Sequence, residues 1–132
     1  MKPANYPLTI YGGTTFDKSC LLFTYKVSGV PVDITGFTVR AICRSHNGTA
    51  AFEWSTETGT LVTDPVAGQI WPDVSAEQTQ ALETFAGPVA RHDNGFAVHT
   101  LGVYTLETVS PSGRVVRLLQ GAVYIAKGLR NG

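Results

Sequence analysis

The side chains able to do chemistry in this 132-residue chain are few and scattered. Histidines stand at His46, His92 and His99. A metal site needs clustered donors, and none of the three has a second ligand at a spacing such as His-x-His or Cys-x-x-Cys. His46 adjoins an Asn-Gly pair, His92 precedes Asp93, and His99 falls in a strand-like run, so solvated or hydrogen-bonded roles suit all three. The adjacent His92-Asp93 pair lacks the Gly-x-Ser-x-Gly elbow that would present Ser75 or Ser110 as a nucleophile. The ten carboxylates are spread over turns and strand exteriors, whereas a glycosidase sets two of them across a cleft. No Gly-rich loop runs into Lys-Ser or Lys-Thr to cradle a phosphate. The residues thus offer no catalytic set, no metal ligands and no cofactor site, and no enzymatic activity is expected.

The two cysteines, Cys20 and Cys43, both lie in apolar, strand-like runs. They read as buried free thiols, since free cysteine behaves as a small core hydrophobe. A disulfide between adjacent strands is the alternative that spacing leaves open.

Ten basic and ten acidic residues cancel to zero net charge. Nucleic-acid binding calls for a basic stripe with interleaved aromatics, and Arg114, Arg117 and Arg130 are too few and too dispersed to make one. No apolar run is long enough to cross a membrane, and the opening Met-Lys-Pro-Ala-Asn-Tyr-Pro lacks the apolar stretch of a signal peptide. The expectation is a protein made in cytoplasm-like conditions with neither nucleic acid nor membrane as partner. Charged residues make up 15% of the chain, against roughly 25% in ordinary soluble domains. Either a Thr/Ser/Gly-rich β surface or a surface covered by neighbouring subunits accounts for that deficit.

The elements behind these side chains are short β-prone runs cut by Gly, Pro and Asn clusters, the pattern of a sandwich or barrel. Leu8–Tyr11 is the first, broken by Gly12-Gly13. Thr15 to Val27 reads as the second, with Leu21, Phe23 and Tyr25 on one face. A Pro-containing arm follows from Val30 to Gly36. Phe37 to Arg44 alternates: Phe37, Val39, Ala41 and Cys43 on the inner face, Thr38, Arg40, Ile42 and Arg44 on the wetter one. Asn47-Gly48 is the strongest two-residue hairpin signal, leading into Ala51–Ser55. Leu61–Thr63 and Gln69–Trp71 flank a turn. Ser75, three residues before Gln78, has the capping-box spacing and predicts one short helix near residues 75–85, stopped by Gly87-Pro88. Pro88 to Gly95 reads as a loop, Phe96 to Thr108 as a strand with a bulge at Gly102. Val115 to Ile125 is the last strand, bent near Gly121. The fold expected is a single all-β domain over residues 1–132. It is an antiparallel β-sandwich, Ig-like or jelly-roll-like, of about seven to nine short strands, with residues 1–7 and 127–132 as flexible or partner-bound ends.

Four patterns in order carry a family likeness. They are Leu8-Thr9-Ile10-Tyr11-Gly12-Gly13-Thr14-Thr15-Phe16; Val32-Asp33-Ile34-Thr35-Gly36-Phe37-Thr38-Val39-Arg40; Val74-Ser75-Ala76-Glu77-Gln78-Thr79; and Gly102-Val103-Tyr104-Thr105-Leu106-Glu107 through Arg117-Leu118-Leu119-Gln120-Gly121. The chain resembles small virion proteins of tailed bacteriophages, and the N-terminal β-sandwich domain of lactococcal phage baseplate upper proteins. That resemblance implies a non-enzymatic virion component, assembled in the host cytoplasm and present in several copies. It would dock in the tail, baseplate or head–tail region against other virion proteins, including adaptors and fibres. It implies no catalytic residues. Phe85 to His99 is longer than the compact loop the family pattern leads one to expect. A carbohydrate- or receptor-binding module with Trp54, Trp71 and tyrosines as stacking platforms is the rival reading, and a capsid decoration protein a third. Trp54 and Trp71 fit either core packing or an interface anchor. The interface candidates are Tyr6, Trp54, Trp71, Pro88, Arg91, His92, Phe96, Leu129 and Arg130.

Overall fold

Period-two alternation of apolar and polar side chains lets a strand bury one face, and the centre of the fold is built that way. The structure is a computed structural model and describes residues 2–128. In chain order the strands are β1 (Ala4–Asn5), β2 (Leu8–Tyr11), β3 (Phe23–Thr24), β4 (Lys26–Val27), β5 (Val30–Pro31) and β6 (Thr38–Ser45). They continue with β7 (Ala50–Ser55), β8 (Leu61–Asp64), β9 (Gln69–Pro72), β10 (Val89–Asp93), β11 (Phe96–Val109) and β12 (Val115–Ala126). Helix α1 (Ala76–Ala81) and a 3-10 turn (Leu82–Phe85) lie between β9 and β10.

A large sheet follows the path β1-β12-β11-β6-β7, and a smaller one has the order β3-β9-β8. Ala41, Phe52, Trp54, Tyr104, Leu106 and Leu119 from the first meet Leu61 and Ile70 from the second in one core cluster. Two sheets burying their inner faces against each other make an all-β sandwich. β6 shows the expected alternation: Val39, Ala41 and Cys43 are buried, while Arg44 is exposed. On the outer face Glu107 sits between Arg40 (3.0 Å) and Arg117 (3.6 Å), linking β11 to both its neighbours.

The capping box forms as the spacing predicts. Ser75 Oγ accepts from Gln78 N at 3.2 Å and Ser75 N donates to Gln78 Oε1 at 2.9 Å. Thr79, fully buried, donates its hydroxyl to Thr14 O at 2.7 Å and accepts from Gly13 N at 3.0 Å, which ties α1 to the corner after β2. The bulge at Gly102 is present: the β11–β12 register shifts between Thr100 and Gly102.

Several expectations are corrected. Thr15 to Val27 is not one strand. Asp17 closes a turn by accepting Ser19 N and Ser19 Oγ on its Oδ1, at 3.0 and 2.6 Å, so pairing resumes only at β3. Those same bonds, the hydroxyl's first, hold the Asp17 carboxyl below its ordinary pKa. Cys20 lies in this turn and is exposed, whereas Cys43 is buried as expected; both are free thiols. Among the described residues twelve strands replace the seven to nine expected, partly because several are two-residue pieces, and β11 and β12 are long rather than short. The large sheet is not wholly antiparallel, because β1 and β2 both pair with β12 in parallel. Residues 4–6 are thereby tied into the sheet rather than loose, with Tyr6 N donating to Gln120 O at 2.8 Å.

Pro88 to Gly95 is not a loop. β10 pairs antiparallel with the first residues of β11, and the Asn94-Gly95 corner has both residues left-handed (φ 52° and 83°), the type I′ geometry. Asn47-Gly48, by contrast, has only Gly48 left-handed and belongs to a three-residue loop closed by Ser45 N to Thr49 O at 2.8 Å. The Asn47 side chain accounts for the difference. Its Oδ1 accepts from Ser45 Oγ and from Thr49 N, holding the wider loop.

Candidate functional site

One end of the large sheet gathers most of the chemistry. There β11 changes partner: it pairs with β6 from Gly102 to Val109 and with β10 from Phe96 to His99. At that end the sheet runs β2-β12-β11-β10, and its registers place three rows on the outer face. Thr9, Tyr124 and Thr100 form one row; Tyr11, Ala126, Val98 and Arg91 the next; Phe96 and Asp93 the last.

Arg91 lies across this face. Its Nη2 donates to Thr9 Oγ1 at 3.0 Å, its Nε donates to Asp93 Oδ2 at 3.2 Å, and its Cζ sits 4.8 Å from the centre of the Tyr124 ring. A guanidinium over an aromatic face gains from the ring quadrupole and keeps its in-plane donors for other partners. The outcome is a pinned arginine that fixes one oxygen of Asp93.

Beside it opens a cleft of about 310 Å³. Val98 and Ala126 are buried in its floor, at 1% and 6% exposure. Tyr11 and Phe96 stand at its sides, 56% and 47% exposed, although both are large aromatics. Asp93, Asn94 and Lys127 supply polar groups to its lining. On the inner face below, His99 Nδ1 lies 2.8 Å from Gly87 O, a bond that holds the base of the β10–β11 hairpin.

The residues singled out in sequence separate into groups. Pro88, Arg91, His92 and Phe96 come together on the β10–β11 hairpin, and all four are exposed. Tyr6 is exposed elsewhere, between β1 and β2, where its carbonyl accepts the Tyr104 hydroxyl at 2.6 Å. Burial, and secondarily the Tyr6 phenol, push the Tyr104 hydroxyl well above its ordinary pKa. Trp54 is corrected from a surface candidate to a core residue: it is 6% exposed and stacked on Phe52, with ring centres 3.8 Å apart. Trp71 is half-buried under Lys18, whose Nζ is 4.4 Å from its ring. Leu129 and Arg130 lie outside the described residues.

Tyr11 is not among the sequence's site candidates, because only the β2–β12 and β11–β12 registers bring it beside the hairpin, whereas Asp93 and Asn94 lie in the same segment as the candidates His92 and Phe96. The Asn94-Gly95 turn signal was the available clue. Among the described residues, no group of three or more His, Cys, Asp and Glu side chains is placed to hold a metal ion.

No family model matches the chain, and no curated protein matches it in sequence. Among solved structures it is similar to the first Ig-like domain from human CD48 antigen. That likeness is at 8% identity and a TM-score of 0.38, over 100% of this chain and 90% of that one.

Proposed function

We propose that this chain is a non-enzymatic structural component of a tailed-bacteriophage particle. In this reading it docks in the tail, baseplate or head–tail region and joins other virion proteins, such as fibres, in several copies per particle. The observation that carries the reading is the β10–β11 hairpin. β10 is an ordered strand with four of its five residues exposed, and among the described residues it is held on one side only, by β11. A two-stranded arm is marginal in isolation, and here it is anchored by the long β11 running on into the core. Strands with a free edge offer backbone donors and acceptors to another chain, which is the simplest way for a sandwich to assemble. The ordered sequence patterns resembling small phage virion proteins supply the identity of the assembly. The low charged fraction agrees with a surface meant to be covered.

Mass spectrometry and imaging of purified particles test this. The expected result is a fixed copy number with the free edge of β10, Val89–His92, against a neighbouring subunit. Particles that lack the protein would overturn the reading.

A further inference from the structure

We propose that the cleft between Tyr11 and Phe96 is a saccharide-binding site that takes one hexopyranose ring. The proposal does not depend on the assembly reading, since it concerns the isolated domain.

Three features of the cleft support it. First, its size of about 310 Å³ falls at the small end of ligand sites, which run from roughly 300 to 1,000 Å³. Second, two half-exposed aromatic side chains flank an apolar floor. Tyr11 and Phe96 stand two strands and two residues apart in register, which sheet spacing converts to about 12 Å between Cα atoms. At that spacing a six-membered ring can lie over the apolar floor against either aromatic side chain. A pyranose has an apolar C–H face that packs on an aromatic ring and hydroxyls around its perimeter. Third, the polar groups in the lining suit those hydroxyls. Asp93 has Oδ2 held by Arg91, leaving Oδ1 to accept a hydroxyl proton. The neighbouring Asn94 side chain offers both a donor and an acceptor. A carboxylate beside an amide matches two adjacent hydroxyls, each of which donates one hydrogen bond and accepts another.

Charge also discriminates among ligands. Arg91 already neutralises Asp93, so among the described residues Lys127 is the cation left in the lining, and an uncharged polyol loses little on entering. The Arg91 contacts to Thr9, Asp93 and Tyr124 fix the carboxylate before any ligand arrives, which reduces the ordering cost of binding.

The experiment is an amide chemical-shift titration of the full chain with the methyl glycosides of glucose, galactose, rhamnose and N-acetylglucosamine. At least one should bind saturably, with a Kd of about 1 mM or tighter. The shifts should be confined to residues 11–14, 93–98 and 126–128. Phe96→Ala and Asp93→Asn should each weaken binding about tenfold or more, while Trp71→Ala, a half-buried tryptophan outside the cleft, leaves it unchanged. Amide spectra of the variants confirm that they are folded, and Tyr11→Ala serves as a second aromatic test if Phe96→Ala is not. The proposal is overturned if none of the four sugars perturbs the cleft, or if binding survives loss of both aromatic side chains.

Discussion

Replacing Gly102 by alanine should weaken the domain more than its modest chemistry suggests. An alanine Cβ at this position would stand 2.0 Å from Arg44 O, 2.7 Å from Arg44 C and 3.0 Å from Ser45 Cα. Ordinary contact begins near 3.4 Å, so the closest approach falls about 1.4 Å short. The obstructing atoms are backbone in β6 and cannot swing aside as a side-chain tip could. Relief must come from moving the end of β6 or giving up the last pairs of the β6–β11 ladder, Gly102 with Ser45 and Val103 with Arg44. Overpacking of this kind costs about 1–3 kcal/mol, and two lost backbone bonds cost about 1 kcal/mol each. These are alternative routes of relief, and either places the penalty at about 2–3 kcal/mol.

At this chain length that corresponds to a fall in Tm of about 6–15 °C. Gly113→Ala is the control. It has nothing within 4 Å of the added Cβ but a φ of +88°, so it pays only for a left-handed alanine, about 1 kcal/mol. Urea unfolding of both variants gives the comparison. Because Gly102 sits where β11 changes partner, the damage should reach the hairpin base. Amide exchange should quicken at Gly87 and Thr100, whose N–H groups bond Thr100 O and Pro88 O. A Gly102→Ala protein within about 0.5 kcal/mol of the parent, or more stable than Gly113→Ala, would refute the steric argument.

Three further outcomes concern Thr108 and the two cysteines. Thr108 Oγ1 is buried with no hydrogen-bond partner among the described residues, so Thr108→Val should stabilise the domain by about 1 kcal/mol, read as a higher urea midpoint. Cys20 should react with a thiol reagent at pH 8 in the native protein while Cys43, whose thiol burial pushes up to about 12, reacts only on unfolding. The Cys43 pKa is raised on folding, so its contribution to stability is complete below about pH 9 and is lost as pH climbs toward 12. The urea midpoint should therefore fall less steeply over that range in Cys43→Ala than in the parent.

What could be read from sequence was whatever burial imposes locally. β6 was legible because one face of each alternate residue enters the core, and α1 because Ser75 and Gln78 satisfy each other's backbone within four residues. β10 was not legible. Its residues are exposed on both faces, so no hydrophobic period marks Val-Ala-Arg-His-Asp as a strand. The break at Asp17 to Cys20 was hidden for the opposite reason: an apolar run resembled a strand, while one aspartate made a turn of it. Of the candidate site, Arg91 and Phe96 were anticipated. Tyr11 was not, because its place beside them depends on the parallel pairing of β2 with β12 and on the β11–β12 register. Trp54 was ambiguous until its stacking on Phe52 placed it inside.

That parallel pairing has a mechanical consequence. β2 and β12 are neighbours running in the same direction, joined from Leu8 opposite Val123 to Tyr11 opposite Ala126. Inter-strand bonds lie across the strands rather than along them. A pull applied between the start of β2 and the end of β12 is therefore directed along both strands, and loads all the bonds of the seam in shear at once. An antiparallel hairpin pulled from its open end yields one bond at a time, like a zipper. The seam between β2 and β12 therefore resists tension along the strands as a unit.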